Sequence, residues 1–427
     1  MFPPMLLALT LLSCNRDVPE SPLLDFEEPP SNVLMISIDT LRRDQLGRYG
    51  GEERPFLDGF LADAVLLDDH RSCSSWTYHS AVCALSGADQ RAIGFMPQRR
   101  EDVGIPSLPS EVATLAQSLG RGRSTALVSG NTFIGLGTGL ERGYDRVVVE
   151  AMLDGADIVD HGLSFLDDEA RGDWFLHLHF MDPHMPYDPP EEYLSAVPES
   201  EFELVRQSDF EALHHEWDDL SEAEQALARA DAMARYSGNI DYLDDQLARL
   251  FGALEARGAL DDTLVVLWSD HGEQFWERDR FAHGNGVNYE ENAAIAAFWA
   301  KGVEPLVWQG MTSHEDLLPT VLGALDVSAP ESVEGRAAGT GRSCRFAGSF
   351  DQVLDRNQQS VEDGGWRLVY TWTGGLELYE LASDPTEQVN LYAPGHPETA
   401  RLWPLLEPRV RRAEALISDP EPAPPEL

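Results

Sequence analysis

Lysine is nearly absent from the 427 residues: Lys301 is the only one, and every other basic side chain is arginine. Basic charge is scarce altogether, with 31 Lys and Arg against 74 Asp and Glu and a net charge of −43. A fold this acidic is a poor partner for nucleic acid or an anionic membrane surface, since both are gripped by basic patches. Cysteine is rare too, and Cys14, Cys73, Cys83 and Cys344 match no zinc-ligand spacing. Cys73 and Cys83 are close enough to pair in an oxidising compartment, but the expectation for them is small buried side chains. No apolar run beyond residue 14 is long enough to span a bilayer, so the membrane is expected as a partner only through a lipid anchor.

What the chain does have begins with Met5-Leu6-Leu7-Ala8-Leu9-Thr10-Leu11-Leu12, an apolar stretch of signal-peptide length. The Leu11-Leu12-Ser13-Cys14 that ends it resembles a bacterial lipobox, which makes Cys14 the candidate lipidation site. The expectation is an exported protein, periplasmic or anchored at the outer membrane as a lipoprotein. Residues 15–30, rich in Pro, Ser and acids, read as a linker.

Two apolar runs end in carboxylates. Val33-Leu34-Met35-Ile36-Ser37-Ile38 enters Asp39-Thr40, and Thr263-Leu264-Val265-Val266-Leu267-Trp268 enters Ser269-Asp270-His271-Gly272. Runs of this kind are strands covered on both faces, hence parallel strands between helix layers. Ligands gather beyond the carboxyl ends of such strands. Neighbouring strands would therefore bring Asp39, Asp270 and His271 to one spot, a donor set suited to a divalent metal. Further strands are expected at 124–129, 174–180 and 293–299, and helices at 110–120 and 220–258. After residue 340 the character changes. Residues 365–371 and 376–381 read as a hairpin and 397–417 as a last helix, giving domains at 31–340 and 341–418 with a tail at 419–427.

In this order, several motifs resemble the sulfatase branch of the alkaline-phosphatase superfamily. They are Asn32-Val33-Leu34 through Asp39-Thr40-Leu41-Arg42, Ser75-Trp76-Thr77 through Leu85-Ser86-Gly87, Asp182-Pro183-His184-Met185-Pro186-Tyr187, Ser269 to Glu273, His283-Gly284, and Asp316-Leu317-Leu318-Pro319-Thr320. Leu378-Tyr379-Glu380-Leu381 with Asp384-Pro385-Thr386-Glu387 and Asn390-Leu391 closes the series. The resemblance implies an α/β fold: an α/β/α sandwich around a large mixed, mostly parallel sheet, with a small C-terminal α+β subdomain. It also implies hydrolysis of sulfuric or phosphoric esters of small molecules, glycans or lipid head groups at a metal.

Matched residue by residue, Thr77 stands at the family's nucleophile position. The resemblance implies Asp39, Thr40, Asp270 and His271 as the metal set, His184 or His283 as the group that protonates the leaving oxygen, and Asp182 and His79 as substrate contacts; Asp182, His184 and His283 are alternatively the ligands of a second metal. An imidazole in the set favours manganese or zinc, with calcium the oxygen-ligand alternative. The departures concern sulfate. Thr77 cannot be oxidised to formylglycine, so none is expected. His79 replaces the motif's proline, and Ala81 its arginine. Both sulfate-binding lysines are missing; Asn131-Thr132-Phe133 stands where one belongs, and Arg278 and Arg280 read as solvated loop charge. Two other readings stay open: a head-group phosphotransferase, and a non-catalytic lipoprotein that keeps the fold to bind glycans or a partner.

Overall fold

The computed structural model describes residues 23, 24, 26, 28–92, 107–120, 122–194, 216–351, 356–372 and 375–414. The expected signal peptide with Cys14, most of the 15–30 linker and the 419–427 tail lie outside these residues.

Eight strands form the central sheet: β1 (Asn32–Ile38), β2 (Val65–Leu67), β3 (Ser124–Ser129), β4 (Arg146–Val149), β5 (Trp174–Phe180), β6 (Thr263–Ser269), β7 (Ala296–Trp299) and β8 (Leu306–Trp308). Their spatial order is β8-β2-β7-β6-β1-β5-β3-β4, and only β7 runs antiparallel to its neighbours. The long apolar runs sit in the middle because both faces there are covered. Leu34, Ile36 and Ile38 face one core, packed by helices α1 (Pro55–Asp63), α4 (Gly155–Asp168) and α5 (Glu222–Ala256). Val33 and Met35 face the other, packed by α2 (Thr77–Ser86), α3 (Leu115–Leu119) and α6 (Leu317–Ala324). The period-two alternation of one strand thus feeds two apolar cores.

A second, antiparallel sheet follows in chain order, β9 (Cys344–Asp351), β10 (Arg356–Asp363), β11 (Trp366–Thr371) and β12 (Gly375–Glu380), and it packs against α7 (Pro397–Glu414). Gly364 and Gly365, at φ +61 and +80, make the two-residue turn between β10 and β11, where side chains would be strained. The α/β/α sandwich with a small C-terminal subdomain matches the expected fold. The helix expected at 110–120 shortens to α3, whose Thr114 capping box starts it late.

One expectation is corrected. Cys73 and Cys83 are not unpaired core residues but form a disulfide, with Cα atoms 6.7 Å apart. It ties the segment before α2 to the helix itself. Among the described residues no helix is long and apolar enough to cross a membrane.

Candidate active site

β1 lies between β5 and β6, and its ladder continues one residue past the strands. Asp39 N–H donates to Phe180 O (2.9 Å) and Asp270 N–H to Ile38 O (3.2 Å), so the two aspartates leave the sheet side by side. Asp39, Asp270 and His271 are fully buried, and one ligand atom from each lies within 4.8 Å of the others. Asp270 Oδ1 is occupied, accepting from Thr40 N (3.0 Å) and His271 N (2.7 Å). Its Oδ2 and Asp39 Oδ1 have no hydrogen-bond partner. His271 Nδ1–H donates to Gly272 O at 2.9 Å, which leaves the Nε2 lone pair on the side of the carboxylates. Orphaned carboxylate oxygens are costly when buried, and two of them beside an imidazole nitrogen fit a divalent cation.

The electrostatics agree with that fit. Burial would raise Asp39, but His184, His179 and His271 together hold it below the usual carboxylate range. Burial and the charge of Asp39 push Asp270 well up. Two like charges this close cannot both ionise easily without a cation between them.

Thr77 is the first residue of α2, whose end is set by Gly87 in the left-handed region at φ +64. Its Oγ1 lies 3.4 Å from Asp39 Oδ2, to which it donates, and 3.4 Å from His271 Nε2. Ser80, one turn on, donates to Asp270 O at 2.6 Å and pins the helix to the loop that carries Asp270 and His271. Thr40 takes φ +54, a strained conformation for a β-branched residue. It is held by its N–H to Asp270 and by Tyr236 O–H on its carbonyl (2.6 Å), while its hydroxyl has no hydrogen-bond partner.

Three imidazoles line one wall. The His271 and His283 rings are 4.6 Å apart, and those of His283 and His184 5.0 Å. Asp182 and His79 are placed differently from their neighbours. The Asp182 carboxylate turns toward the start of α4, where a Cβ on Gly155 would lie 3.1 Å from its Oδ2; burial pushes it up to about 7. His79 is buried with neither ring nitrogen hydrogen-bonded, and burial pushes it down to about 4. Arg278 is not solvated loop charge: it pairs with Glu290 at 3.1 Å and donates to Glu387 O at 2.7 Å.

Three residues absent from the sequence-derived site belong here. Glu273 is fully buried, accepting His283 Nδ1–H and Tyr187 O–H, each at 2.9 Å. Asn131 Nδ2 donates to Asp39 Oδ2 at 2.7 Å. Ser37 reaches two histidines of β5. Glu273 and Asn131 both follow the carboxyl end of a central strand, the one signal that could have marked them.

The family model described as Sulfatase matches residues 31–327. The chain belongs to the sulfatase family. An arylsulfatase of Clostridium perfringens is 27% identical over 265 residues, covering 55% of this chain and 52% of that one. The chain spans about half the length of the curated relatives it matches. A protein solved in complex with its substrate D-glucosamine-2-N,6-O-disulfate superposes with a TM-score of 0.71 at 16% identity, over 91% of this chain and 99% of that one. A phosphonate monoester hydrolase from Silicibacter pomeroyi gives 0.68 at 20% identity, over 90% and 96%. This sulfatase-family chain therefore shares its fold with proteins named for sulfur and for phosphorus esters.

Proposed function

We propose that the chain is a metal-dependent hydrolase of sulfuric or phosphoric esters with Thr77 as nucleophile. The observation that carries this reading is Thr77 Oγ1, at the start of a buried helix and 3.4 Å from both Asp39 Oδ2 and His271 Nε2. Asp39, Asp270 and His271 would hold one divalent cation, manganese or zinc in preference to calcium. When bound, such a cation lowers the pKa of a neighbouring hydroxyl and offsets negative charge on the ester oxygens.

The remaining work falls to the chain. Thr77 O–H is oriented by Asp39 Oδ2 and gives its proton to water as its oxygen attacks, while the N–H groups of the first turn of α2 face the anion that develops beside it. The new bond joins Thr77 Oγ1 to sulfur or phosphorus, and the bond to the leaving oxygen breaks. His283, oriented by Glu273, or His184 beside it supplies the proton to that oxygen from its imidazolium form. Water then releases the group from Thr77.

The missing lysines and Thr77 favour a phosphoryl over a sulfuryl group, carried on a small molecule, glycan or lipid head group. A disulfide persists in an oxidising compartment, so Cys73–Cys83 supports the export reading. The test is the metal-stripped chain assayed on nitrophenyl sulfate, phosphate and phosphodiester, with and without Mn²⁺ or Zn²⁺. Turnover restored by the added ion is expected. A silent panel, with no ion retained, would replace this reading with the binding-lipoprotein one.

A further inference from the structure

Behind Asp39 lies a run of buried polar groups that the chemistry above does not use. Ser37 on β1 and His177 and His179 on β5 share one face of the sheet; Ser37 and His179 are register partners, and all three are fully buried. Ser37 Oγ is 2.8 Å from His177 Nε2 and 2.8 Å from His179 Nδ1. At one end, Tyr144 O lies 3.1 Å from His177 Nδ1; at the other, His179 Nε2 lies 3.3 Å from Asp39 Oδ2.

The donors can be assigned from the Asp39 end. A carboxylate only accepts, so His179 carries its proton on Nε2 and presents a lone pair at Nδ1. With that ring neutral, Ser37 O–H donates to the lone pair, which leaves the serine oxygen to accept from His177 Nε2–H. His177 Nδ1 in turn accepts from Tyr144 O–H. Each group donates once, every bond points the same way, and the chain ends on Asp39. Burial pushes His177 down to about 3, in keeping with a neutral ring in this arrangement. Bonds aligned in series polarise one another.

We infer that Tyr144, His177, Ser37 and His179 form a one-way hydrogen-bond relay that positions Asp39 for its cation. The relay, Asn131 and Thr77 all donate to Oδ2 and leave Oδ1 for the ion. These are positioning residues, and the inference rests on the reading that Asp39, Asp270 and His271 hold a cation. Partners of this kind fix ligand orientation and are worth about 10- to 100-fold in metal affinity.

The test has two readouts on the full chain. Imidazole ¹⁵N shifts of the metal-free protein report the tautomers, assigned by comparison with single histidine variants. Calorimetric titration with Mn²⁺ reports affinity. We expect His177 and His179 both as the Nε2–H tautomer, and Ser37→Ala to weaken Mn²⁺ binding about 10- to 100-fold. Tyr144→Phe, which removes one hydroxyl at the far end and keeps the ring, weakens it several-fold with an unchanged thermal midpoint. A role confined to packing would leave the Tyr144→Phe affinity equal to the parent's, and that result overturns the inference. So does His177 found as the Nδ1–H tautomer. If the parent binds no Mn²⁺, the cation reading fails on its own, and the tautomers alone decide whether the relay exists.

Discussion

The indole of Trp76 lies on the backbone of Gly284: a Cβ at residue 284 would stand 2.3 Å from indole Cε2 and Cζ2. Gly284 also takes φ +82, a conformation side chains rarely adopt. Trp76 immediately precedes Thr77 and meets the His283 ring edge-on at 5.5 Å. One glycine therefore sets the spacing between the proposed nucleophile and the proposed acid. Gly284→Ala is expected to cost about 1–3 kcal/mol of stability. Its turnover should fall further, about 10²-fold, because displacement of reacting groups by an ångström is felt that strongly. Urea unfolding and nitrophenyl-ester kinetics on the same variant separate the two effects.

The C-terminal sheet is held to the central domain by a buried arginine. Arg367 Nη1 donates to Glu387 at 2.9 Å, while Nη2 donates to Asn292 Oδ1 (2.8 Å), Ser360 Oγ (3.2 Å) and Val287 O. Arg71 reaches the same Glu387 oxygen at 2.8 Å. Breaking a buried pair from one side leaves charge and carbonyls unmatched, which costs about 3–5 kcal/mol. Arg367→Leu should therefore unfold at lower urea and expose the segment after residue 340 to protease first.

Acid should weaken the fold through its buried histidines. His177 has its pKa pushed down to about 3 by burial and by His179, against an ordinary value of 6.5. The neutral ring favours the folded state, so this stability is complete above pH 6.5, falls progressively as pH drops from 6.5 to 3, and is gone below 3. Between those limits the unfolded chain binds one more proton here, a slope of about 1.4 kcal/mol per pH unit. His177→Gln should flatten the measured stability profile between pH 6 and 4 by about that slope. A profile as steep as the parent's would show that His177 is already charged in the fold.

Reduction should act through α2. The Cys73–Cys83 bridge closes a loop with a sequence separation of 10 that contains Thr77. A loop of this length is worth about 2–3 kcal/mol. Dithiothreitol, or the Cys73→Ser/Cys83→Ser pair, should lower the urea midpoint correspondingly; an unchanged midpoint would mean that the bridge adds nothing to the fold.

Much of the architecture was legible because the central strands are long and apolar on both faces. β1, β5 and β6 follow directly from such runs, and so does the meeting of Asp39 with Asp270 and His271. The short strands β2, β4 and β8 carry three or four residues each, too few for a period to register. Helix α2 escaped a periodic reading for another reason: all ten of its residues are buried, so it has no polar face. At the site, Glu273 and Asn131 act by orienting other groups, which spacing does not reveal. The Asp182 carboxylate lies close to Gly155 at the start of α4, a neighbour that its motif does not reveal. The pairing of Cys73 with Cys83 depends on how α2 docks, a tertiary matter.

Thr77 is proposed to attack the ester at a cation-binding site. The most direct test is turnover of nitrophenyl esters by parent, Thr77→Ser and Thr77→Ala, each loaded with Mn²⁺ and analysed for bound metal. Thr77→Ser should retain activity, while Thr77→Ala should keep its metal and fold and lose turnover to background. Parent-level turnover by Thr77→Ala, with metal bound, would contradict the proposal.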